Sequence, residues 1–325
     1  MPANLTPDYE RAEQRYRSAA TDEEKLDALR EMFATIPKHK GTEKIQADIK
    51  HKISLFRKTI AKKPAKTVDP FHIPRSGAGQ VVLIGPPNSG KSLLLAKTTH
   101  AAAKVAEYPF TTAIPLPGMA IFEDVQIELI DTPPVTSGHV PGGLMGTIRN
   151  ADIVAVVVDA SENPLEEAEM VISLLSERGL VLRSVPLNQI DRSDFSQCSA
   201  LLVANKVDLA DAETGAALSE LYKNRLDVVA VSAETGQGLD AFIRRLWQLL
   251  SLVRVYTKEP GKPPDRGKPF TLEIGSSIED LAREIHRELP EKMKFARVWG
   301  DGRYQGQQVH RTEVLRDRDI VEIHQ

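Results

Sequence analysis

Three rhythms of apolar and polar residues succeed one another along the chain. Near the start, Leu26, Leu29, Phe33 and Ile36 follow Thr21-Asp22-Glu23-Glu24, a tetrapeptide with the form of a capping box, and the spacing predicts a short helix. From Thr42 onward Ile45, Ile49, Ile53, Phe56 and Ile60 make one apolar stripe, which predicts a longer amphipathic helix. The middle of the chain changes to buried-strand runs: Val81 to Ile84, Val125 to Ile130, Ile153 to Asp159, Ala200 to Ala204 and Val228 to Val231. Helical stretches, Leu93 to Ala106 and Phe242 to Leu250 among them, separate these runs, and an apparent hairpin passes through Pro117-Gly118. Strands alternating with helices predict an α/β doubly wound sheet, with ligand loops at the carboxyl ends of its strands. A third pattern begins at Ser251. Leu252 to Thr257 alternates as a strand and Phe270 to Ile274 reads as another. Ser277 can cap a helix carrying Ile278, Leu281, Ile285 and Leu289, and Phe295 to Trp299 and Asp319 to Ile323 supply further strands. This ββαββ order fits a small β-grasp domain. The expected domains are 1–75, a helical arm with a Pro/Gly linker, then 76–250, and then 251–325.

Composition narrows the setting. Of 325 residues, 41% are hydrophobic and 27% charged, an ordinary globular balance, and a net charge of -3 means that nucleic-acid affinity must come from a local patch. One such patch exists. Lys38, Lys40, Lys44, Lys50, Lys52, Arg57, Lys58, Lys62, Lys63 and Lys66 far outnumber Glu43 and Asp48 along the second helix. Two readings stand: a solvated helix face whose isoleucine stripe packs on the next domain, or a polyanion-binding arm suited to RNA. The single cysteine, Cys198, excludes an intramolecular disulfide framework and a cysteine-ligated zinc site. No apolar run approaches membrane-spanning length and the first residues lack a leader pattern, so a cytoplasmic protein without membrane partners is expected.

The candidate chemistry sits at the strand ends. Gly85-Pro86-Pro87-Asn88-Ser89-Gly90-Lys91-Ser92 has the spacing G-x-x-x-x-G-K-S directly after the first strand run. Gly85 and Gly90 allow turns that a Cβ would block, so successive N–H groups can face phosphate oxygens, and the following helix adds its dipole. Lys91 would reach the β- and γ-phosphates, and the Ser92 hydroxyl would ligate Mg²⁺. Thr112, or else Thr111, would add a second hydroxyl to the ion and close over the γ-phosphate, while Asp131 would hold the ion through water. Asn205-Lys206-Val207-Asp208 would choose the base. An ionised Asp208 accepts both N1–H and the 2-amino group of guanine, two donors that adenine lacks. Asn205 would bond the base's other edge and neighbouring loops, Lys206 would cover the base plane, and the Ser232-Ala233 backbone would donate to the guanine carbonyl. The expected ligands are therefore GTP or GDP with Mg²⁺.

These residues resemble the translation-factor-related small GTPases, and more narrowly the branch that contains the Obg proteins and the developmentally regulated GTP-binding (DRG) proteins. The Gly85 to Ser92 loop with Tyr108-Pro109-Phe110-Thr111-Thr112 is that branch's pairing, and the Gly41-Thr42-Glu43 helix looks like the DRG N-terminal region. Val255-Tyr256-Thr257-Lys258, Ala296-Arg297-Val298-Trp299-Gly300 and Asp317-Arg318-Asp319-Ile320-Val321 resemble the TGS domain shared by DRG proteins, threonyl-tRNA synthetases and stringent-response enzymes. The resemblance implies a P-loop GTPase fold and action on the ribosome, RNA or the translation machinery through the basic arm and TGS domain. It also implies that Asn88 binds an activating K⁺, against the plainer reading of an asparagine that tolerates the turn. Lys91, Thr112 and Asn88 are thus the candidate catalytic residues.

The chain also departs from the branch. The segment from Asp159 to Asn205 is too short for the extra domain of DRG proteins, and the arm lacks the glycine-rich fold of Obg, so a compact DRG-like relative is expected. Pro134 stands where the branch has glycine in Asp-x-Pro-Gly, and proline has no N–H for the γ-phosphate. A charge-assisted bond is worth about 1.5–3 kcal/mol, so its loss would weaken discrimination of the GTP state by about ten- to a hundredfold. Val135 cannot orient water as glutamine does, and slow hydrolysis is expected. His139, in a glycine-rich loop, is read as a solvated histidine before a water-positioning one, and Trp299 as a core aromatic before a docking residue. Two other functional readings remain: a hydrolysis-deficient binding module held by GTP or GDP, and a regulator of a protein partner docked on the isoleucine stripe.

Overall fold

The chain divides into two compact units, Met1–Val68 and Asp69–Gln325. The computed structural model describes residues 7–18, 22–37, 41–62, 70–99, 114–191, 194 and 196–325, with backbone alone at 22–24 and 56–62.

The first unit holds α1 (Pro7–Ser18), α2 (Asp22–Thr35) and α3 (Glu43–Lys62). Ile49 is buried and Ile45 and Ile53 are half-buried against Tyr9, Ala12, Leu29 and Met32. The isoleucine stripe is therefore spent inside this unit, which corrects its reading as a face for the next domain or for a protein partner, as far as these three residues carry it. α3 packs chiefly on α2, and α1, whose apolar face is only Tyr9, Ala12 and Tyr16, too sparse to announce a helix by periodicity, completes the cluster. Lys44, Lys50 and Lys52 remain exposed. The ammonium groups of Lys50 and Lys52 lie 5.3 and 5.6 Å from the ring centres of Phe33 and Tyr16.

The second unit begins with β1 (Gln80–Ile84), α4 (Lys91–Thr98), β2 (Leu116–Phe122), β3 (Val125–Asp131), α5 (Leu144–Asn150), β4 (Ile153–Asp159), α6 (Pro164–Ser176), β5 (Val181–Arg183), β6 (Gln197–Asn205), α7 (Thr214–Tyr222), β7 (Val228–Ala230) and α8 (Leu239–Leu250). Among the described residues these strands form one sheet, ordered β2-β3-β1-β4-β6-β5, with β7 also paired to β6. All pairs are parallel except the edge pair β2–β3. Every residue of β1 and β4 is buried, because helices cover both faces. Val82, Ile84, Val154 and Val156 meet Val171 and Leu175 on one side. Leu83 and Val157 meet Leu94, Phe242 and Leu246 on the other.

Three local expectations change. The helix expected to run from Leu93 to Ala106 ends at Thr98, where the Thr98 and Thr99 hydroxyls donate back to the Leu94 and Leu95 carbonyls at 2.6 and 2.7 Å and Thr99 turns extended. Pro117 and Gly118 lie within β2, not at its turn. Proline is tolerated on an edge strand, and a Cβ on Gly118 would stand 3.0 Å from the Leu95 and Thr99 side chains. The turn is Glu123-Asp124, with Glu123 in the left-handed region at φ 54. The short strand β5 carried no pattern long enough to read.

From Ser251 the chain forms β8 (Leu252–Thr257), β9 (Asp265–Glu273), α9 (Ile278–Ile285), α10 (Leu289–Lys292), β10 (Phe295–Trp299), β11 (Gln307–Val309) and β12 (Asp319–His324). Their sheet order is β11-β10-β12-β8-β9, with β12 and β8 parallel. Ser277 caps α9 in a capping box with Asp280. Val255, Ile278, Leu281, Ala296, Val298 and Val321 make the core. Strand alternation then puts Trp299 on the opposite face, half-buried, with the Lys258 ammonium 4.6 Å from its ring centre. The core reading of Trp299 is thereby corrected.

Candidate nucleotide-binding site

The chain leaves β1 at Ile84, turns through Gly85 to Gly90 and enters α4 at Lys91. Gly90 has φ 86 and Asn88 φ 62, so two left-handed residues bend the loop around its own interior. Gly85 is required for space instead: a Cβ there would lie 2.1 Å from the Val157 carbonyl oxygen. Pro86 is buried, Pro87 half-buried and Asn88 exposed. The Ser89 hydroxyl donates to the Pro86 carbonyl at 3.0 Å. Lys91 is buried, and its ammonium donates to the carbonyls of Gly85 at 3.1 Å and Pro86 at 2.8 Å. Burial lowers its pKa to about 8, although Asp131 and Glu167 pull the other way. A polyanion at the loop would favour the charged form.

Ser92, the first-turn hydroxyl of α4, donates to Asp131 Oδ2 at 2.5 Å. A hydroxyl and a carboxylate brought together beside a phosphate-binding loop form the hard-oxygen donor pair that suits Mg²⁺. Among the described residues no three His, Cys, Asp or Glu side chains cluster as a metal cage. Ser92 and Asp131 would hold the ion, and it would supply neutralisation of phosphate charge. Thr111 and Thr112 lie outside the described residues. Beyond Asp131, the Thr132 hydroxyl donates to the Leu83 carbonyl at 2.7 Å, and the Val135 N–H donates to the Gly85 carbonyl at 3.1 Å. The Val135 side chain is fully buried in the cluster that holds Val82 and Leu144. His139 is exposed, in a turn where its N–H and that of Thr136 bond each other's carbonyls.

Asn205 ties three loops together. Its amide nitrogen donates to the Ser89 carbonyl at 2.9 Å and its oxygen accepts from the Ala233 N–H at 3.0 Å, so both ends of the amide are engaged by neighbouring loops. Ser232 is fully buried, its hydroxyl accepting from the Thr235 N–H at 3.1 Å. Lys206, left-handed at φ 63, forms an ion pair with Asp159, which closes β4. Burial works against that carboxylate, but its bonds from Lys206 and Ser161 hold the pKa below the usual range. Asp208 is exposed at the loop end. The Lys206–Asp159 pair was missed in the sequence, where its one signal was an acidic residue ending an apolar strand.

A phosphate-type loop, a Ser–Asp oxygen pair and a base-type loop thus meet at the carboxyl ends of β1, β3 and β6. Residues 80–185 match the family described as 50S ribosome-binding GTPase, and residues 253–325 match the TGS domain. Across 93% of this chain and 98% of its own length, an uncharacterized GTP-binding protein of Halobacterium salinarum is 26% identical. The developmentally regulated GTP-binding protein 2 of Bos taurus is 27% identical over 92% of this chain and 98% of its own. Over most of its length this chain is similar to the DRG family of GTP-binding proteins. Like them it is a P-loop GTPase-family protein, with a C-terminal TGS domain. The alignment to the archaeal relative spans 363 positions against 325 residues here, so that protein carries residues this one lacks. Among solved structures, an Era variant of Aquifex aeolicus bound to GDP.AlF4- is 21% identical over 69% of this chain and 72% of its own, at a TM-score of 0.41. No helix in the described residues is long and apolar enough to cross a membrane.

Proposed function

We propose that this protein is a guanine-nucleotide switch that hydrolyses GTP slowly with Mg²⁺ and acts on the ribosome or translation machinery in the cytoplasm. The observation that carries the reading is the Asn205 amide, which binds the phosphate-type loop at Ser89 and the base-side loop at Ala233 in one side chain. In this reading Gly85 to Ser92 wraps the phosphates, Lys91 meets the β- and γ-phosphates, and Ser92, Thr112 and Asp131 serve the ion. Asp208 selects guanine while Asn205 and Lys206 complete the base pocket. The Ser232 and Ala233 N–H groups, expected to meet the guanine carbonyl, are bonded here to the Gln237 carbonyl and the Asn205 amide oxygen, so that loop holds Asn205 in place. Asn88, exposed on the loop, is the candidate K⁺ ligand. The ribosomal target rests on the family description and on the exposed lysines of α3. The working parts are an arm (1–75), a GTP-binding domain (76–250) and the TGS domain (251–325).

A hydrolysis-deficient module is the second reading, and a specific geometry favours it. Pro134 has no N–H, and the next one along, on Val135, is already bonded to Gly85. Nucleotide affinity and single-turnover hydrolysis with GTP, GDP and ATP, in K⁺ and in Na⁺, separate the two. Slow, K⁺-stimulated GTP turnover supports the switch. No turnover until Pro134→Gly restores an N–H supports the module, and tight ATP binding overturns guanine selection.

A further inference from the structure

Within the second unit the hairpin β2–β3 runs from the candidate nucleotide loops to the TGS domain. At one end Leu116 pairs with Asp131, the residue bonded to Ser92, and at the other Phe122 pairs with Val125 across the Glu123-Asp124 turn. Seven paired positions on each strand make a ladder of roughly 20 Å. The segment bearing Thr112 leads into one strand and the other strand ends at Asp131. This single stiff element therefore joins both stretches expected to respond to nucleotide.

Three TGS residues hold its tip. The Arg254 guanidinium, with a side chain only 4% exposed, donates to Glu123 and to Asp124 Oδ1, the latter at 3.1 Å. It lies 5.3 Å from the Trp247 ring centre and 5.8 Å from that of Phe122, two rings stacked on each other. Arg318 adds a bond to Glu123 Oε2 at 2.5 Å, and the Tyr256 hydroxyl donates to Asp124. Within its own domain Arg254 also grips Asp317, with contacts at 3.0 and 2.6 Å. That last pair decides what the contact can do. Removing one partner of a buried ion pair is strongly unfavourable when it strands a charge. Here the hairpin can leave and Arg254 keeps a bidentate partner, so the grip is built to open. Beside it a cleft of about 650 Å³ lies between Ile121 and Gln126 of the hairpin and Gly267 and Lys268 of β9. The TGS domain thus grips the tip beside open space, and a single residue, Ser251 at φ 55, joins α8 to β8.

We propose that the TGS domain is a releasable clamp on this hairpin, with Arg254 as its knot, so that nucleotide state and TGS docking bias each other through the β2–β3 ladder. The inference rests on the guanine-nucleotide reading and adds its regulation. Linkage makes the effect reciprocal: whatever pulls the TGS domain away changes the preference between GTP and GDP by the same factor by which nucleotide changes docking.

The test is hydrogen exchange on the full chain with GDP and with a non-hydrolysable GTP analogue, together with affinities for both. It compares the natural protein with a hairpin variant, Glu123→Ala with Asp124→Ala, and a TGS variant, Arg318→Ala with Tyr256→Phe. The variants keep Arg254 on Asp317, and unfolding curves confirm that they are folded. The expected result is exchange at 122–125 and 252–257 that differs at least threefold between the two nucleotides in the natural protein. Both variants lose that difference and shift the GTP-to-GDP affinity ratio at least threefold. A purely structural contact would weaken both nucleotides equally. Identical exchange in both states with an unchanged ratio overturns the clamp while leaving the switch intact. Failure of the natural protein to bind either nucleotide overturns the switch, and the clamp with it.

Discussion

Gly90 and Asn205 occupy one space: a Cβ on Gly90 would stand 2.2 Å from the Asn205 amide nitrogen, the atom that bonds the Ser89 carbonyl. The bend of the phosphate-type loop and the placement of the base-side loop are therefore a single packing decision. Gly90→Ala adds left-handed strain, since Gly90 has φ 86, and pushes Asn205 off its bond. GTP affinity is expected to fall at least tenfold, measured by titration with a fluorescent analogue.

Asn205→Ala removes two bonds at once and leaves the Ser89 carbonyl and the buried Ala233 N–H to find other partners. Each such loss costs about 1–3 kcal/mol. Denaturant unfolding is expected to register a stability loss of about 2–5 kcal/mol in the absence of nucleotide, before any base contact is counted.

Asp208 offers the opposite separation. It is exposed, so Asp208→Asn should change unfolding stability by less than about 0.5 kcal/mol. Affinity for GTP should nevertheless fall about a hundredfold, because an amide cannot accept from both guanine donors, while a xanthine nucleotide, whose 2-oxo group accepts from that amide, should gain. Competition binding with the two nucleotides checks it.

Lys91 predicts a pH signature. Its folded pKa of about 8 lies below the usual lysine value of 10.5, so between them the unfolded chain holds more protons and stability rises with pH across that window. Phosphate binding favours the ammonium and reverses the shift. At pH 8 nucleotide binding should take up about half a proton, falling toward zero at about pH 6.5. Calorimetry in buffers of different ionisation enthalpy reads this directly.

Much of this was legible in the chain because it rests on local rules. Gly85 and Gly90 announced a tight loop, the apolar runs of β1, β4 and β6 announced a covered parallel sheet, and Ser277 announced the start of α9. The hairpin turn was misplaced for the same reason: Pro117-Gly118 is a strong local turn signal. Edge position removed the need for the missing N–H, and packing of Gly118 on Leu95 and Thr99 kept the segment in a strand.

The sequence by itself determined the fold class, the order of the loops and the residue types at each strand end, since spacing and periodicity are properties of neighbours along the chain. Tertiary structure alone decided that the isoleucine stripe closes within the three-helix unit, that Trp299 lies on the face opposite the core, that Lys206 pairs with Asp159, and that Arg254 reaches back across 131 positions to Glu123. Those outcomes depend on which surfaces compete for the same apolar face or the same charge once the chain has folded, and that competition has no local signature.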